Sequence, residues 1–459
     1  MNTDRRRLLA ALAGAAAGAA TTPTHANEPS LPRELVARSG IDAAALGVRP
    51  NSAEDQSKAL QRAIESAAAT RAVLHLPPGS YRAGSLQLPP HAAISGTPGA
   101  TRIVMTGGPS LLSAAASDHI AITGLVLDGG GVALPERRGL LHLAQGRAVH
   151  IAECEIVNSG RNGITLEAIE GDVTGNVVSA ADIGIFSLDA RGLRIAGNTV
   201  RGAGNGGILV WRSAPGDDGT LVIDNRIEDV AARAGGSGQY GNAVNIFRAG
   251  NVIVRGNRIR NAAFSAVRGN TASNLQIVGN TCTGLGEVAL YAEFGFEGAL
   301  IANNIVDGAA LGVSVTNFDQ GGRLAVVQGN VIRNLTNKRP PGTDPNDLAG
   351  VGIGIGIEAD TVVTGNVVEN APNIGIAAGW GAYLRDVAVS ANVIRNADFG
   401  ITVSVAPGAG AAVIADNLIS GVRRGAIVGM EWNKPVTGDL AKDGATRYAQ
   451  LSIGGNRVR

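Results

Sequence analysis

Apolar and polar positions alternate along most of this chain in runs of only a few residues. One such run, Ile195-Ala196-Gly197-Asn198-Thr199-Val200 followed by Gly207-Ile208-Leu209-Val210, recurs to the C-terminus. Asparagine marks each recurrence, at 176, 198, 225, 257, 280, 304, 330, 366, 392, 417 and 456, with an aliphatic residue three places earlier and an apolar one two places later. The steps are 22, 27, 32, 23, 24, 26, 36, 26, 25 and 39 residues. A near-constant minimum with variable additions is what stacked supersecondary units give when loops grow outward from one coil.

The unit leaves no room for a helix. Its runs are rich in β-branched residues and punctuated by Gly, Asn and Asp, which spells short strands joined by bends. Coils of such strands stack at roughly 4.8 Å, each inward residue on its equivalent below. An asparagine at each bend can bridge to the next coil and satisfy polar groups that burial would leave unpaired. The pattern therefore predicts an all-β chain, a single-stranded right-handed parallel β-helix of about a dozen coils. Asn51 to Thr70 breaks the rule: Leu60, Ala63, Ile64 and Ala67 share one helical face, and Ser52 with Asp55 are placed to cap its start. A helix there would block the open edge of the first coil.

The domain plan expected is a signal peptide over 1–26, a linker over 27–32, an N-terminal cap with irregular early coils over 33–150, and regular repeats over 151–459. Arg5-Arg6-Arg7-Leu8-Leu9 opens a mild Ala- and Gly-rich apolar run, and Thr24-His25-Ala26 offers small residues for a cut after Ala26. An arginine pair before a weakly hydrophobic stretch resembles a twin-arginine export signal, which implies a periplasmic or secreted bacterial protein. No later stretch is long enough for a membrane span.

Composition narrows the partners. The 65 glycines and 3% aromatic content suit many turns around a narrow aliphatic core, and a formal charge of +1 gives no reason to expect nucleic acid. Cys154 falls where a bend asparagine is expected and Cys282 at an inward position, some five rungs away, so the two should be buried free thiols rather than a pair.

Leu74-His75-Leu76-Pro77-Pro78-Gly79-Ser80-Tyr81 after the helix, then Ile94-Ser95-Gly96, resembles the opening of pectate-lyase-superfamily β-helix proteins, in which a helix covers the first coil. With the arginine pair and the asparagine repeats, the whole chain is similar to a bacterial family of twin-arginine-translocated β-helix repeat proteins. That resemblance implies fold and export and carries no catalytic residues with it.

Candidate chemistry gathers around the Gly-Ile strand. In β-helix enzymes that act on polysaccharides, this strand and its loops carry the site, an expectation by analogy. Ten of the 15 aromatic residues lie in this strand or just after it. With Ile164, Ile208, Val244, Val267 and Leu290 inward, alternation turns Glu167, Trp211, Asn245, Phe247, Arg268, Asn270, Tyr291, Glu293 and Glu358 outward. Arg268, Tyr291 and Glu293 are the catalytic candidates, as carboxylate binder and proton-transfer groups. Trp211, Asn245, Phe247, Arg248, Asn270, Glu358 and Trp380 are the candidate substrate contacts. The same residues also read as flank packing and a solvated charge ladder, and both readings stand.

Other motifs fail. Asp217-Asp218 reads as a solvated turn, Asp344, Asn346 and Asp347 as ordinary turn chemistry, and Gly352-Ile353-Gly354-Ile355-Gly356 lacks the helix a nucleotide fingerprint needs. All six histidines lie at or before His150, and no metal site is expected; any cofactor and the oligomeric state are unknown. The expected partner is a polysaccharide or oligosaccharide, bound or processed by elimination, epimerisation or hydrolysis. A non-catalytic envelope or surface glycan-binding protein is the alternative.

Overall fold

A computed structural model describes residues 40–236, 238–338 and 350–459. The expected signal peptide, the linker, and Asp344, Asn346 and Asp347 lie outside the described residues. The chain winds into a parallel β-solenoid of about 14 turns, each turn contributing a strand to three sheets. Sheet A holds Arg194–Ala196 and its equivalents, sheet B holds Thr199–Arg201, and sheet C holds Gly206–Asp217.

The predicted registers appear as unbroken columns. In sheet A, Ile195 stacks on Val222 and Val222 on Val254. Sheet B stacks Ile259 on Cys282 and Cys282 on Val306. Sheet C stacks Ile164, Ile185, Ile208, Val244, Val267 and Leu290, all fully buried. The glycine before the isoleucine exists for space. A Cβ on Gly207 would come within 2.7 Å of Ile227 and 2.3 Å of the Ala243 carbonyl, so the backbone there must approach its neighbours bare.

The bend asparagines form one buried ladder. Asn198 donates from its backbone N–H and Nδ2 to Asn225 Oδ1 at 2.9 and 3.0 Å, and from Nδ2 to the Val173 carbonyl at 2.8 Å. The same pattern repeats at Asn257, Asn280, Asn304, Asn330, Asn366, Asn392 and Asn417. Every donor and acceptor of the amide is used, and none faces water. Cys154 begins the ladder: its N–H donates to Asn176 Oδ1 at 3.0 Å and its thiol leans on the Ala152 carbonyl at 3.2 Å. Both cysteines are free and buried, and burial pushes each thiol up to about 12. Asn334, Asn370 and Asn396 hold the left-handed conformation at the B-to-C corner, and each amide hydrogen-bonds the equivalent residue one coil back.

The ends depart from the expected outline. The helix runs Ser57–Ala69, starting later than the pattern suggested; Ser52 lies outside it, while Asp55 accepts the Ser57 N–H. Leu60, Ala63, Ile64 and Ala67 bury their shared face in the core, against the strands Val73–His75, Leu86–Gln87 and Ala93–Ser95. Tyr81 of the L-P-P-G-S-Y stretch is fully buried, its hydroxyl donating to the Pro77 carbonyl at 2.8 Å. Leu451–Gly454 and Arg457–Val458 form the last rungs of sheets A and B. On sheet C the one antiparallel pairing among the described residues lays Lys434–Asp439 along Leu418–Glu431 and occupies its free edge. Asp439 fastens this hairpin by accepting the N–H groups of Ala426 and Ile427.

Replacing a ladder asparagine in mid-stack orphans groups on three coils. Asn280→Ala removes the acceptor for the Asn257 N–H and Nδ2 and the donor to Val254. The expected loss is on the order of 3 kcal/mol in denaturant unfolding, against roughly 1 kcal/mol for Asn456→Ala at the water-exposed end. Equal losses at both sites would contradict a cooperative buried ladder.

Candidate functional site

Outward positions of sheet C run in two columns. One contains His142, Thr165, Phe186, Leu209, Asn245, Arg268 and Tyr291, and the other contains Glu167, Leu188, Trp211, Phe247, Asn270 and Glu293. The expected register places Arg268 directly opposite Tyr291 and Asn270 opposite Glu293. Arg268 Nε donates to Glu293 Oε1 at 2.7 Å, its Nη1 lies 3.7 Å from Glu287, and its guanidinium sits 5.2 Å over the Tyr291 ring. Asn270 Nδ2 adds a bond to the same Glu293 oxygen at 3.1 Å.

The structure thus brings Arg268, Tyr291, Glu293 and Asn270 together: Glu293 Oε1 takes up both Arg268 Nε and Asn270 Nδ2, while Arg268 Nη1 makes no hydrogen bond and only approaches Glu287. Arg268 is 7% exposed and Glu293 2%. Burial, with the Glu293 carboxylate beside it, pushes the Tyr291 phenol well above its ordinary range, so it stays protonated at neutral pH. A buried ion pair of this kind organises a surface more readily than it turns over a substrate.

The other candidates divide between support and display. Asn245 is buried, and its Nδ2 donates to the Gly238 carbonyl at 2.7 Å, anchoring the segment over 238–241 beside Arg268. Arg248 donates to the Ser213 carbonyl and lies 4.6 Å over the Phe247 ring. Glu358 is buried and accepts the Phe318 N–H at 2.7 Å; desolvation raises its carboxyl above the ordinary value. Phe186, Trp211 and Phe247 form an edge-to-face row with centroids 5.4 and 5.7 Å apart. Trp380 stands apart from these, several coils on, against Trp432 at 5.7 Å.

Two features escaped the sequence reading, while Trp432, one of the ten aromatics placed in or just after the Gly-Ile strand, is found just after it. Asp218 is no solvated turn: it is 3% exposed, with Arg212 at 3.7 Å, and desolvation raises its carboxyl, while Asp217 remains outside on Asn251. His142 belongs to the outward column of sheet C, 3.8 Å from Glu167, and burial lowers its imidazole to about 4, leaving it neutral. Trp432 caps the turn of the C-terminal hairpin. It lies between the parallel strand Leu418–Glu431 and the antiparallel strand Lys434–Asp439, and like Trp380 it is exposed. Two shallow depressions, of about 590 and 770 Å³, lie away from these groups, at the B-to-C corner around Asn261 and Leu285 and on sheet A around Arg385 and Val413. Neither gathers convergent polar groups of the kind a small-molecule site needs.

Two families match parts of the chain: "Right handed beta helix region" over residues 213–386 and "Periplasmic copper-binding protein (NosD)" over residues 94–248. Among solved structures, the A-module of mannuronan C-5 epimerase AlgE6 from Azotobacter vinelandii aligns over 91% of this chain and 99% of that one, at 15% identity and a TM-score of 0.45. PfbA, a surface adhesin of Streptococcus pneumoniae, aligns over 87% and 95%, at 16% identity and a TM-score of 0.45. The catalytic unit of an α-1,3-glucanase from Streptomyces thermodiastaticus aligns over 93% and 69%, at 13% identity and a TM-score of 0.44. No curated protein matches the chain.

Copper, named in one of these descriptions, does not fit the residues present. Among the described residues no three His, Cys, Asp or Glu side chains converge to hold a metal ion. Within the matched segment His142 faces Glu167 alone and the Cys154 thiol is engaged by backbone carbonyls.

Glu358 offers a pH test. Its folded carboxyl holds a proton to higher pH than the unfolded one, so its contribution favours the fold in acid and is lost as pH rises through the folded value. Glu358→Gln keeps an oxygen for the Phe318 N–H and removes the buried charge. The variant should be more stable than the parent at pH 7, with the gap closing towards pH 4; a gap that widens in acid would contradict the assignment.

Proposed function

Taking the chain as a right-handed parallel β-helix protein, we propose that it is exported and binds a polysaccharide or oligosaccharide along the outward face of sheet C and the loops that flank it. One observation carries the reading. Among the large apolar side chains that remain exposed, the aromatic ones are Phe294, Trp380 and Trp432, and all three directly follow sheet C strands. Half-buried Trp211 and Phe247 sit further up the stack in the column of Asn270 and Glu293, one residue before the position of Phe294. Flat aromatic faces beside hydrogen-bonding side chains suit the apolar faces and hydroxyl edges of pyranose rings.

Binding is favoured over processing. Arg268, Tyr291 and Glu293 were the groups expected to perform elimination, epimerisation or hydrolysis, and the ion pair and the protonated phenol leave neither a free carboxylate nor a phenolate base on the surface. In this reading they support the floor of the groove, while Trp211, Phe247, Arg248 and Asn270 line it. The twin-arginine-like N-terminus supports export, and the periplasmic description of one matching family agrees with it.

The test is a titration of purified protein against polygalacturonate, alginate and a neutral glucan, with product absorbance followed in parallel. Saturable binding to one class is expected, weakened about tenfold by Trp211→Ala, which corresponds to roughly 1.4 kcal/mol. No binding to any of the three would refute the proposal. Unsaturated product that disappears in Tyr291→Phe would replace it with a lyase.

A further inference from the structure

Two groups of aromatic residues on this face pack ring to ring as platforms. The first is Trp211 and Phe247, both half-buried, with buried Phe186 edge to face against Trp211, on three successive coils. The second is Trp380, Tyr383 and Trp432, with Trp432 edge-on to both partners at 5.7 and 6.2 Å. The C-terminal hairpin builds the second platform. Trp432 occupies its turn at φ 55°, and its ring lies so close over Gly381 that a Cβ there would come within 2.4 Å of it. Ser404 Oγ donates to the Gly381 carbonyl at 2.6 Å and pins the segment beneath the ring. Fold stability alone gives no reason to hold two tryptophans 39% and 48% exposed in a fixed mutual geometry.

The separation follows from the register. Ile246 stacks in turn on Gly269, Ala292, Val315, Ile357 and Ala378, five rungs from the end of the first platform to the strand that leads into Trp380. At roughly 4.8 Å per rung that is about 24 Å along one straight face. The span between carries Tyr291, Thr316 and the exposed Phe294, so it offers polar and flat contacts throughout.

We propose that the ligand is an extended, unbranched polysaccharide held at both platforms at once, so that the protein selects chain length as well as sugar type. This rests on the carbohydrate reading of the same face. A short oligosaccharide reaches one platform only. A chain that spans both gains the second contact as an intramolecular event, at an effective concentration fixed by a rigid solenoid.

The experiment titrates graded-length oligogalacturonides, and cello-oligosaccharides as the uncharged series, into the full chain and into Trp432→Ala, Trp432→Phe and Trp211→Ala, with thermal melts to confirm folding. One series should show a rise of about a hundredfold in affinity at the length that first spans both platforms. Trp432→Ala should remove that rise while short members still bind, and Trp432→Phe should retain most of it. A smooth dependence on length in the parent, or polymer binding undiminished in Trp432→Ala, would overturn the two-point model and leave the carbohydrate reading standing. Binding of neither series would overturn both.

Discussion

In-register stacking is the constraint on which everything else in this molecule depends. Each coil is too short to bury its own apolar face, and it becomes stable only when every inward side chain meets its equivalent above and below. The asparagine ladder makes that meeting specific. An amide whose donors and acceptor are all consumed by adjacent coils tolerates no slip of one residue, because a slip would strand several buried polar groups and turn the aliphatic columns outward. Once the columns are locked, the outward positions are locked with them, and a surface site is fixed without a loop having to find it.

That dependence explains what could be read from the residues. Asn198, Ile195 and Ile208 announce sheets, bends and register because their roles repeat in every coil. Even Cys282 and Cys154 were placed correctly by their positions in the repeat. The Arg268–Tyr291 juxtaposition followed from the same periodicity. What periodicity could not convey was depth. Arg268 and Glu293 point outward yet are buried, with Glu287, the Tyr291 ring and Gly238 packed around the Arg268 guanidinium. Asp218 similarly looked like a solvated turn residue, yet it is buried, with Arg212 at 3.7 Å and its carboxylate accepting from Thr220. The C-terminal hairpin was missed for the opposite reason: it occurs once, and an antiparallel strand outside the repeat leaves no periodic trace.

Burial also reorders the roles of the polar groups. A carboxylate with two donors aimed at it and a phenol held protonated make a rigid floor, and rigidity is what a binding face needs to hold an ordered chain without a large entropic cost. The aromatics are arranged the other way. Trp380 and Trp432 pack against each other and stay exposed, Trp211 and Phe247 are half-buried, and Phe186 is buried against Trp211. The contrast between a buried polar floor and an open aromatic edge separates support from contact along this face.

The chain contains three tryptophans, Trp211, Trp380 and Trp432, and all of them lie on this edge, so intrinsic fluorescence of the unmodified protein reports on it directly. The decisive measurement is acrylamide quenching of that emission with and without a saturating polysaccharide found by the binding titration. The account predicts that bound polysaccharide shifts the emission and shields the tryptophans from the quencher. Saturable binding that leaves both the spectrum and the quenching unchanged would place the ligand elsewhere on the solenoid and contradict the assignment of this face.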